Sequence, residues 1–341
     1  MSTIVATLPK VDLCASLLGS PTVEQLVELM HEAGDDRDVA PLLAKEGPAG
    51  WDAALDLVAS VLHKPRQVEA IAYSLAQRMI RDSVVHVEVH VDALRPALGG
   101  EVVFDAIERG FERAIDESED ALLSWVIIAE VRRGDDPDAA AAAIAALREA
   151  AGDRMCGVAL SGDEALPIGG LAEVLGKLRA DGLALAVTAG YGGSRRQVEE
   201  ILALDPSRVV HGHHLPRDEA ALLQLRSRRV PVICLPTVET RCGLQRDGAP
   251  PSAGRLMEAG LFVTIGSGAS GLLGTTMTAE LDQVSRVLGW RLEQLRTATA
   301  RAVEAAFVDP RLRFVIARAV ENWRHRPRLT AGGNDDGGYG L

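Results

Sequence analysis

Side chains that could act as nucleophiles, bases or ligands stand where short apolar runs of the sequence end. A cysteine close to a histidine can form a nucleophile–base pair, and Cys14 with His211 is one such combination. His211 is therefore the candidate catalytic residue. The alternative for Cys14 is a small buried side chain with no chemical role, which is more common for a single cysteine. The residues predicted to line a ligand pocket are Cys14, Ser16, Gly162, Thr188, Tyr191 and Gly268.

Three further polar residues, His86, Glu88 and His90, alternate with valines in the run VVHVEVHV at residues 84–91. Alternation places the three on one face of a strand, with Val85, Val87, Val89 and Val91 on the other. A strand rises ~3.3 Å per residue, so His86 and His90 lie ~13 Å apart and cannot share one ion. Two interpretations stay open: His90 binds an ion together with Glu88 or His211, or the three residues form a hydrogen-bonded polar layer.

The elements that carry these residues alternate between strand and helix. Eight short apolar runs are each followed by a helical pattern. The runs are too continuously apolar for a sheet with one solvent-exposed face. This order predicts an α/β fold, a (β/α)8 TIM barrel with extra N- and C-terminal helices; a doubly wound open sheet is the rival. We expect one barrel domain over residues 1–325 and a disordered tail over residues 326–341. Barrel sites form at the carboxyl ends of the strands, so the polar clusters should surround one pocket.

The composition narrows the choice of partners and compartment. The chain has 341 residues, 47% hydrophobic and 25% charged, with a formal net charge of -12. This acidic balance argues against nucleic acid and anionic membranes as partners. No apolar run approaches the ~20 residues that span a bilayer, and no signal peptide is evident. Four scattered cysteines are typical of reduced thiols, so we predict a cytoplasmic protein.

Several segments, in order along the chain, resemble motifs of the adenosine deaminase family, a metal-dependent branch of the amidohydrolase-like barrels. The similarity extends from about residue 8 to residue 310. Any one segment is a weak match, but their order and their places at strand ends are specific. The matching segments are LPKVDL, VEVH, SGDE, VTAGYGG, VVHGHHL, CLPTVET, VTIGSGASGLLGTT and AVEAAF.

The resemblance also shows where this sequence departs from the family. In that family, zinc is held by two histidines on the first strand, a histidine on the fifth and an aspartate on the eighth. The glutamate that acts as acid becomes Tyr191 here, and the aspartate that orients water becomes Ala269. The strand-six histidine remains as His211, and a glycine that approaches the purine remains as Gly162. The residues at the four zinc positions are Cys14, Ser16, Thr188 and Gly268.

A thiol, two hydroxyls and a glycine do not build the three-ligand site that zinc needs to activate water. The resemblance therefore implies a family member without a metal or other cofactor. We expect a catalytically silent protein that binds a purine or nucleoside-like ligand, or that pairs with an active relative or a second copy of itself. The alternative is a metal-independent enzyme that acts on a nucleoside-like molecule through His211, with Cys14 or Tyr191.

Overall fold

Eight parallel strands form one sheet in the order of the chain, which confirms the predicted (β/α)8 barrel. The structure, a computed structural model, describes residues 2–45, 47–119, 121–190, 195–213, 215, 218–245 and 251–323. Tyr191 and the predicted tail over residues 326–341 lie outside these residues. The strands are β1 Lys10–Ser16, β2 Val84–Asp92, β3 Ser124–Arg132, β4 Met155–Ser161, β5 Ala184–Ala189, β6 Arg208–His211, β7 Pro231–Cys234 and β8 Phe262–Ile265.

Helices lie between the strands and extend the chain at both ends, as the sequence predicts. Several begin at a side-chain cap; Asp136, for example, accepts the backbone N–H of Ala139 at 2.8 Å. Within the described residues the helices are α1 Ser2–Thr7, α2 Val23–Glu32, α3 Val39–Leu43, α4 Gly47–Val61, α5 Pro65–Arg81, α6 Gly100–Asp116, α7 Pro137–Ala151, α8 Leu171–Ala180, α9 Arg195–Ala203, α10 Glu219–Ser227, α11 Pro236–Arg241, α12 Ser252–Glu258, α13 Met277–Leu288, α14 Leu292–Ala305 and α15 Pro310–Asn322. None of these helices is long and apolar enough to cross a bilayer.

The barrel closes between its first and last strands through Gly268, just beyond β8. The Ser16 N–H donates to the Gly268 carbonyl at 2.7 Å, and the Gly268 N–H donates to the Cys14 carbonyl at 2.8 Å. Deeper in the barrel, buried Asp12 accepts the Ser267 N–H at 3.2 Å and the Ser267 hydroxyl. These bonds fix Cys14 in a rigid part of the wall.

All nine residues of β2 are buried, and the predicted valine face holds with one exception. Val87, Val89 and Val91 pack in the main core between sheet and helices. Val85 packs instead with Val11 in a second apolar cluster. Lys10 and Val11 of β1 pair with Val84 and His86. The register shifts between these two pairs, so Val85 is left out of the pairing. Because an extra residue breaks the alternation of a strand, the prediction for Val85 is wrong.

The interior of the barrel contains a fully buried ion pair between Glu88 and Arg208. The Arg208 guanidinium donates to one Glu88 oxygen and lies 3.8 Å from the ring centroid of Phe307, whose N–H donates to the other oxygen. His86 Nδ1 lies 2.9 Å from the Ser124 hydroxyl. Burial lowers the pKa of His86 to about 4, although Glu88 opposes this. A polar layer of Glu88, Arg208 and His86 is therefore present, whereas His90 bonds to Glu130 instead, so the predicted layer of His86, Glu88 and His90 is present only in part.

Candidate active site

A cavity opens at the carboxyl ends of the barrel strands. All the predicted site residues that the structure describes line it: Cys14, Ser16, Gly162, Thr188, His211 and Gly268. The strands supply these residues, while helix α4 brings Pro48, Trp51, Asp52 and Leu55 to the same cavity. His90, Glu130 and Ser161 also line it. The residues predicted from the sequence therefore lie around one cavity, and their roles in binding or catalysis stay predictions.

Three side chains on neighbouring strands form a hydrogen-bonded line along one side of the cavity. The Ser161 hydroxyl donates to Glu130 Oε1 at 2.6 Å, and His90 Nδ1 lies 3.0 Å from Glu130 Oε2. His90 also interacts with the Cys14 side chain. Burial alone would lower the pKa of His90, but Cys14 and Glu130 outweigh it and raise that pKa to about 10. His90 therefore lies between a sulfur and a carboxylate, and both favour its protonated form.

His211 occupies the last position of β6 in a backbone conformation that is uncommon for residues other than glycine. Its φ is +75°, in the left-handed region, which costs about 1–3 kcal/mol and is found most often at functional sites. His211 Nδ1 lies 3.6 Å from Glu239 Oε1. Glu239 is itself held on α11 by the Leu235 N–H at 3.1 Å and by the Ser252 hydroxyl. The imidazole therefore has a fixed, buried carboxylate partner.

Asp52 is a carboxyl group that the sequence analysis did not single out, because it lies in an irregular helical stretch. Burial raises the pKa of Asp52 to about 6, and Arg132 opposes this only in part. Arg132 is already paired with Asp92, at 2.9 Å, and with Asp56, at 2.6 Å. Near neutral pH, Asp52 can therefore exchange a proton with a bound molecule.

The raised pKa of Asp52 predicts a pH-dependent effect on stability. The unfolded carboxyl ionises near its usual 3.8 and the folded one near 6, so wild type loses stability as the pH rises between these values. Asp52→Asn removes this loss. Above pH 6 the variant should be more stable by about 1–2 kcal/mol, and at pH 4 it should match wild type.

Calorimetry between pH 4 and pH 8 checks this expectation. Asp105→Asn, at an exposed position on α6, is the matched control and should follow wild type throughout. A difference between Asp52→Asn and wild type that is constant with pH would contradict the assignment.

The zinc positions of the resembling family can be compared directly with the cavity wall. Cys14, Ser16, Thr188 and Gly268 do lie together there, but they offer one thiol and two hydroxyls. In the part of the chain that the structure describes, no group of three or more histidine, cysteine or acidic residues is arranged to hold a metal ion. This donor set does not fit zinc, so no chemical step is derived through a metal.

The fold and the cavity define a (β/α)8-barrel protein with a candidate active site at the carboxyl ends of its strands. The chain belongs to the adenosine deaminase family: the family model described as "Adenosine deaminase" matches residues 39–323. An adenine deaminase of Rhodospirillum rubrum is 29% identical over 316 residues, which cover 89% of this chain and 93% of that protein. One of Vibrio parahaemolyticus is 25% identical over 333 residues, covering 95% and 98%.

Solved structures share the fold at low identity. The adenine deaminase of Arthrobacter aurescens superposes with a TM-score of 0.80 at 19% identity and covers 93% of this chain and 99% of its own. The N6-methyl-AMP deaminase of Arabidopsis thaliana gives a TM-score of 0.83 at 16% identity, covering 94% and 98%. These two likenesses establish the barrel and its extra helices, and no more than that.

The expectation of a catalytically silent protein is wrong in the light of these relatives. Proteins named adenine deaminases align along almost the whole chain, which supports an active deaminase. The expectation considered only the replaced zinc positions. It treated His90 as part of a polar layer and did not weigh Glu130, Glu239 or Asp52, all of which bring ionisable groups to the cavity or to its histidines. The absence of a metal stays a prediction.

Proposed function

We propose that the chain is a hydrolytic deaminase that converts a 6-aminopurine, adenine, to the 6-oxo base and ammonia. The observation that carries the proposal is the similarity to adenine deaminases along 89–95% of the chain. It is supported by a cavity at the expected end of the barrel that is lined by two histidines, a thiol and two carboxyl groups. A purine-like ligand, which the sequence predicts, is part of this proposal.

The cavity lining favours a base over a nucleotide. No lysine or arginine occurs among the described residues that line it, whereas phosphate groups are usually bound by such side chains. Asp52 and Glu130 would repel a phosphate. Trp51 offers an aromatic face on which a purine ring can stack. Adenine is therefore preferred to AMP.

The test is ammonia release from adenine, adenosine and AMP, with the purine products separated by chromatography. The protein is assayed as purified, after treatment with a chelator and after addition of zinc. We expect adenine to be deaminated at the same rate in all three states and AMP to be left unchanged. No ammonia from any purine in any state would refute the proposal, and a preference for AMP would refute the choice of adenine.

Gly162 provides a second test, because the resemblance places its backbone next to the purine. Its φ is +84°, and a Cβ there would lie 3.1 Å from Arg132 Cβ and 3.2 Å from the Arg133 nitrogen. Gly162→Val should lower kcat/KM for adenine at least about tenfold by narrowing the cavity and straining the turn. Steady-state kinetics measures the change.

Gly182→Val is the matched control. Its φ of +91° imposes similar strain, but no atom lies within 4 Å of its added Cβ and it does not line the cavity. Both variants should lose stability, whereas only Gly162→Val should lose activity. Equal losses of activity would show that strain alone is responsible.

A further inference from the structure

Four neighbouring strands, β1 to β4, each place one polar or sulfur-bearing residue on the same side of the cavity: Cys14, His90, Glu130 and Ser161. Ser16, two residues after Cys14 and also in the cavity wall, is the Cα partner of His90, so the thiol and the imidazole lie on adjacent strands. Asp92 pairs with Glu130 in the next ladder, which brings that carboxylate alongside His90. The alignment of Cys14, His90, Glu130 and Ser161 therefore follows from the register of the barrel strands.

His90 has one ring nitrogen fixed and the other available. Nδ1 is held by Glu130, whereas Nε2 is buried and makes no hydrogen bond of regular geometry among the described residues, although the Cys14 side chain interacts with the imidazole. A buried polar atom left without a partner costs about 1–3 kcal/mol, so it calls for an explanation. The unpartnered nitrogen is explained if it exchanges a proton with the Cys14 sulfur and with a substrate bound in the cavity.

We propose that Cys14 is the nucleophile of the deaminase, with His90 as its acid–base partner and Glu130 as the residue that positions His90. This inference rests on the proposed function and adds to it a covalent mechanism that the family resemblance does not imply. It explains how deamination proceeds with the donor set that is present. Cys14 as inert filling would not explain a buried histidine, carboxylate and hydroxyl aligned behind it.

The first half of the reaction forms a thioether and releases ammonia. The Cys14 thiolate attacks the ring carbon that carries the amino group; a C–S bond forms, and the C=N electron pair moves to the ring nitrogen, which takes a proton from Asp52. His90 then gives its proton to the amino nitrogen. The C–N bond breaks, ammonia leaves with the electron pair, and the ring nitrogen returns its proton to Asp52 as C=N forms again.

The second half uses one water molecule. Water attacks the thioether carbon, neutral His90 takes one of its protons, and Asp52 again protonates the ring nitrogen. The C–S bond breaks and its pair returns to Cys14. The hydroxyl proton passes to Asp52 as C=O forms. The sum is adenine and water to the 6-oxopurine and ammonia, with no oxidant or reductant, and the enzyme returns to its starting state.

The direct test compares Cys14→Ala with Cys156→Ser in full-length protein. Cys156 is partly exposed, lies outside the cavity, and has a pKa that burial raises to about 12. Cys14→Ala should reduce kcat for adenine by about 10³-fold or more, and Cys156→Ser should leave it unchanged. Acid quenching during turnover should trap wild type with a mass increased by adenine less ammonia, on the peptide that contains Cys14.

Alkylation by iodoacetamide gives a readout that does not depend on turnover and that, in wild type, needs no variant. At pH 7, Cys14 of wild type should be alkylated faster than the thiol of free glutathione under the same conditions, and adenine should protect it. Glu130→Gln should slow this alkylation and shift its pH dependence, and should lower kcat more than it changes KM. Glu130→Asp should restore part of both. If Glu130 had a purely structural role, its replacement would change neither the alkylation of Cys14 and its pH dependence nor kcat relative to KM.

The outcomes separate the two proposals. If wild type deaminates adenine and Cys14→Ala keeps that activity, the thiol mechanism is refuted while the function stands. If no purine is deaminated but Cys14 is alkylated selectively, the function is refuted and the activated thiol stands. If Cys14 reacts no faster than the thiol of free glutathione, the activated thiol is refuted whatever the purines show.

Discussion

Replacing Glu88 by glutamine should lower the free energy of unfolding by about 3–5 kcal/mol. The change leaves the Arg208 guanidinium, which is fully buried, without its carboxylate partner. An uncompensated charge inside a protein costs much more than the net value of the pair it came from. Urea unfolding followed by circular dichroism measures the loss.

Two further variants test the physical reason for this loss. Glu173→Gln removes a carboxylate from an exposed pair with Lys177 and should leave the unfolding midpoint unchanged. The double variant Glu88→Leu with Arg208→Met replaces the buried pair by apolar side chains, so it should regain most of the stability lost in the single variant. A Glu88→Gln protein as stable as wild type would show that the guanidinium has another partner.

His211→Asn should lower kcat/KM for adenine by about 10- to 100-fold, because it removes a buried imidazole that can hydrogen-bond the bound base without taking part in the proton transfers. The imidazole lines the cavity and is oriented by Glu239, 3.6 Å away. Asparagine accepts the left-handed backbone that this position requires, so the fold should persist. Steady-state kinetics and the melting temperature are measured together.

The control for this variant is His31→Asn, which removes an exposed histidine paired with Asp36. It should change neither activity nor the melting temperature. A His211→Asn enzyme with activity within about threefold of wild type would show that His211 makes no contact that stabilises the bound base.

The sequence predicts the barrel and much of the cavity, because strand ends can be recognised from apolar runs and parallel strands end at one face. It does not predict which side chains touch, since contacts across strands depend on the stagger of the barrel. For this reason, the sequence suggests a nucleophile–base pair of Cys14 and His211, whereas the neighbour of Cys14 in the structure is His90.

Two functional candidates were missed for different reasons. Glu130 is the first charged residue after the apolar run of the third strand, a signal that could have identified it. Asp52 lies on α4, in a stretch interrupted by glycine and proline, and only its position across the mouth of the barrel brings it to the cavity. A helix that folds over a barrel from outside the strand–helix repeat leaves no periodic signal.

The buried ion pair of Glu88 and Arg208 also limits the routes by which small molecules can enter and leave the barrel. Below the cavity, these two side chains and His86 fill the barrel and are fully buried, so nothing passes through to the far end. In the proposed reaction, adenine and water would therefore enter, and ammonia and the 6-oxopurine would leave, through one passage at the mouth. The proposed mechanism requires ammonia to leave before water attacks the thioether carbon, so both molecules would use the same mouth in turn.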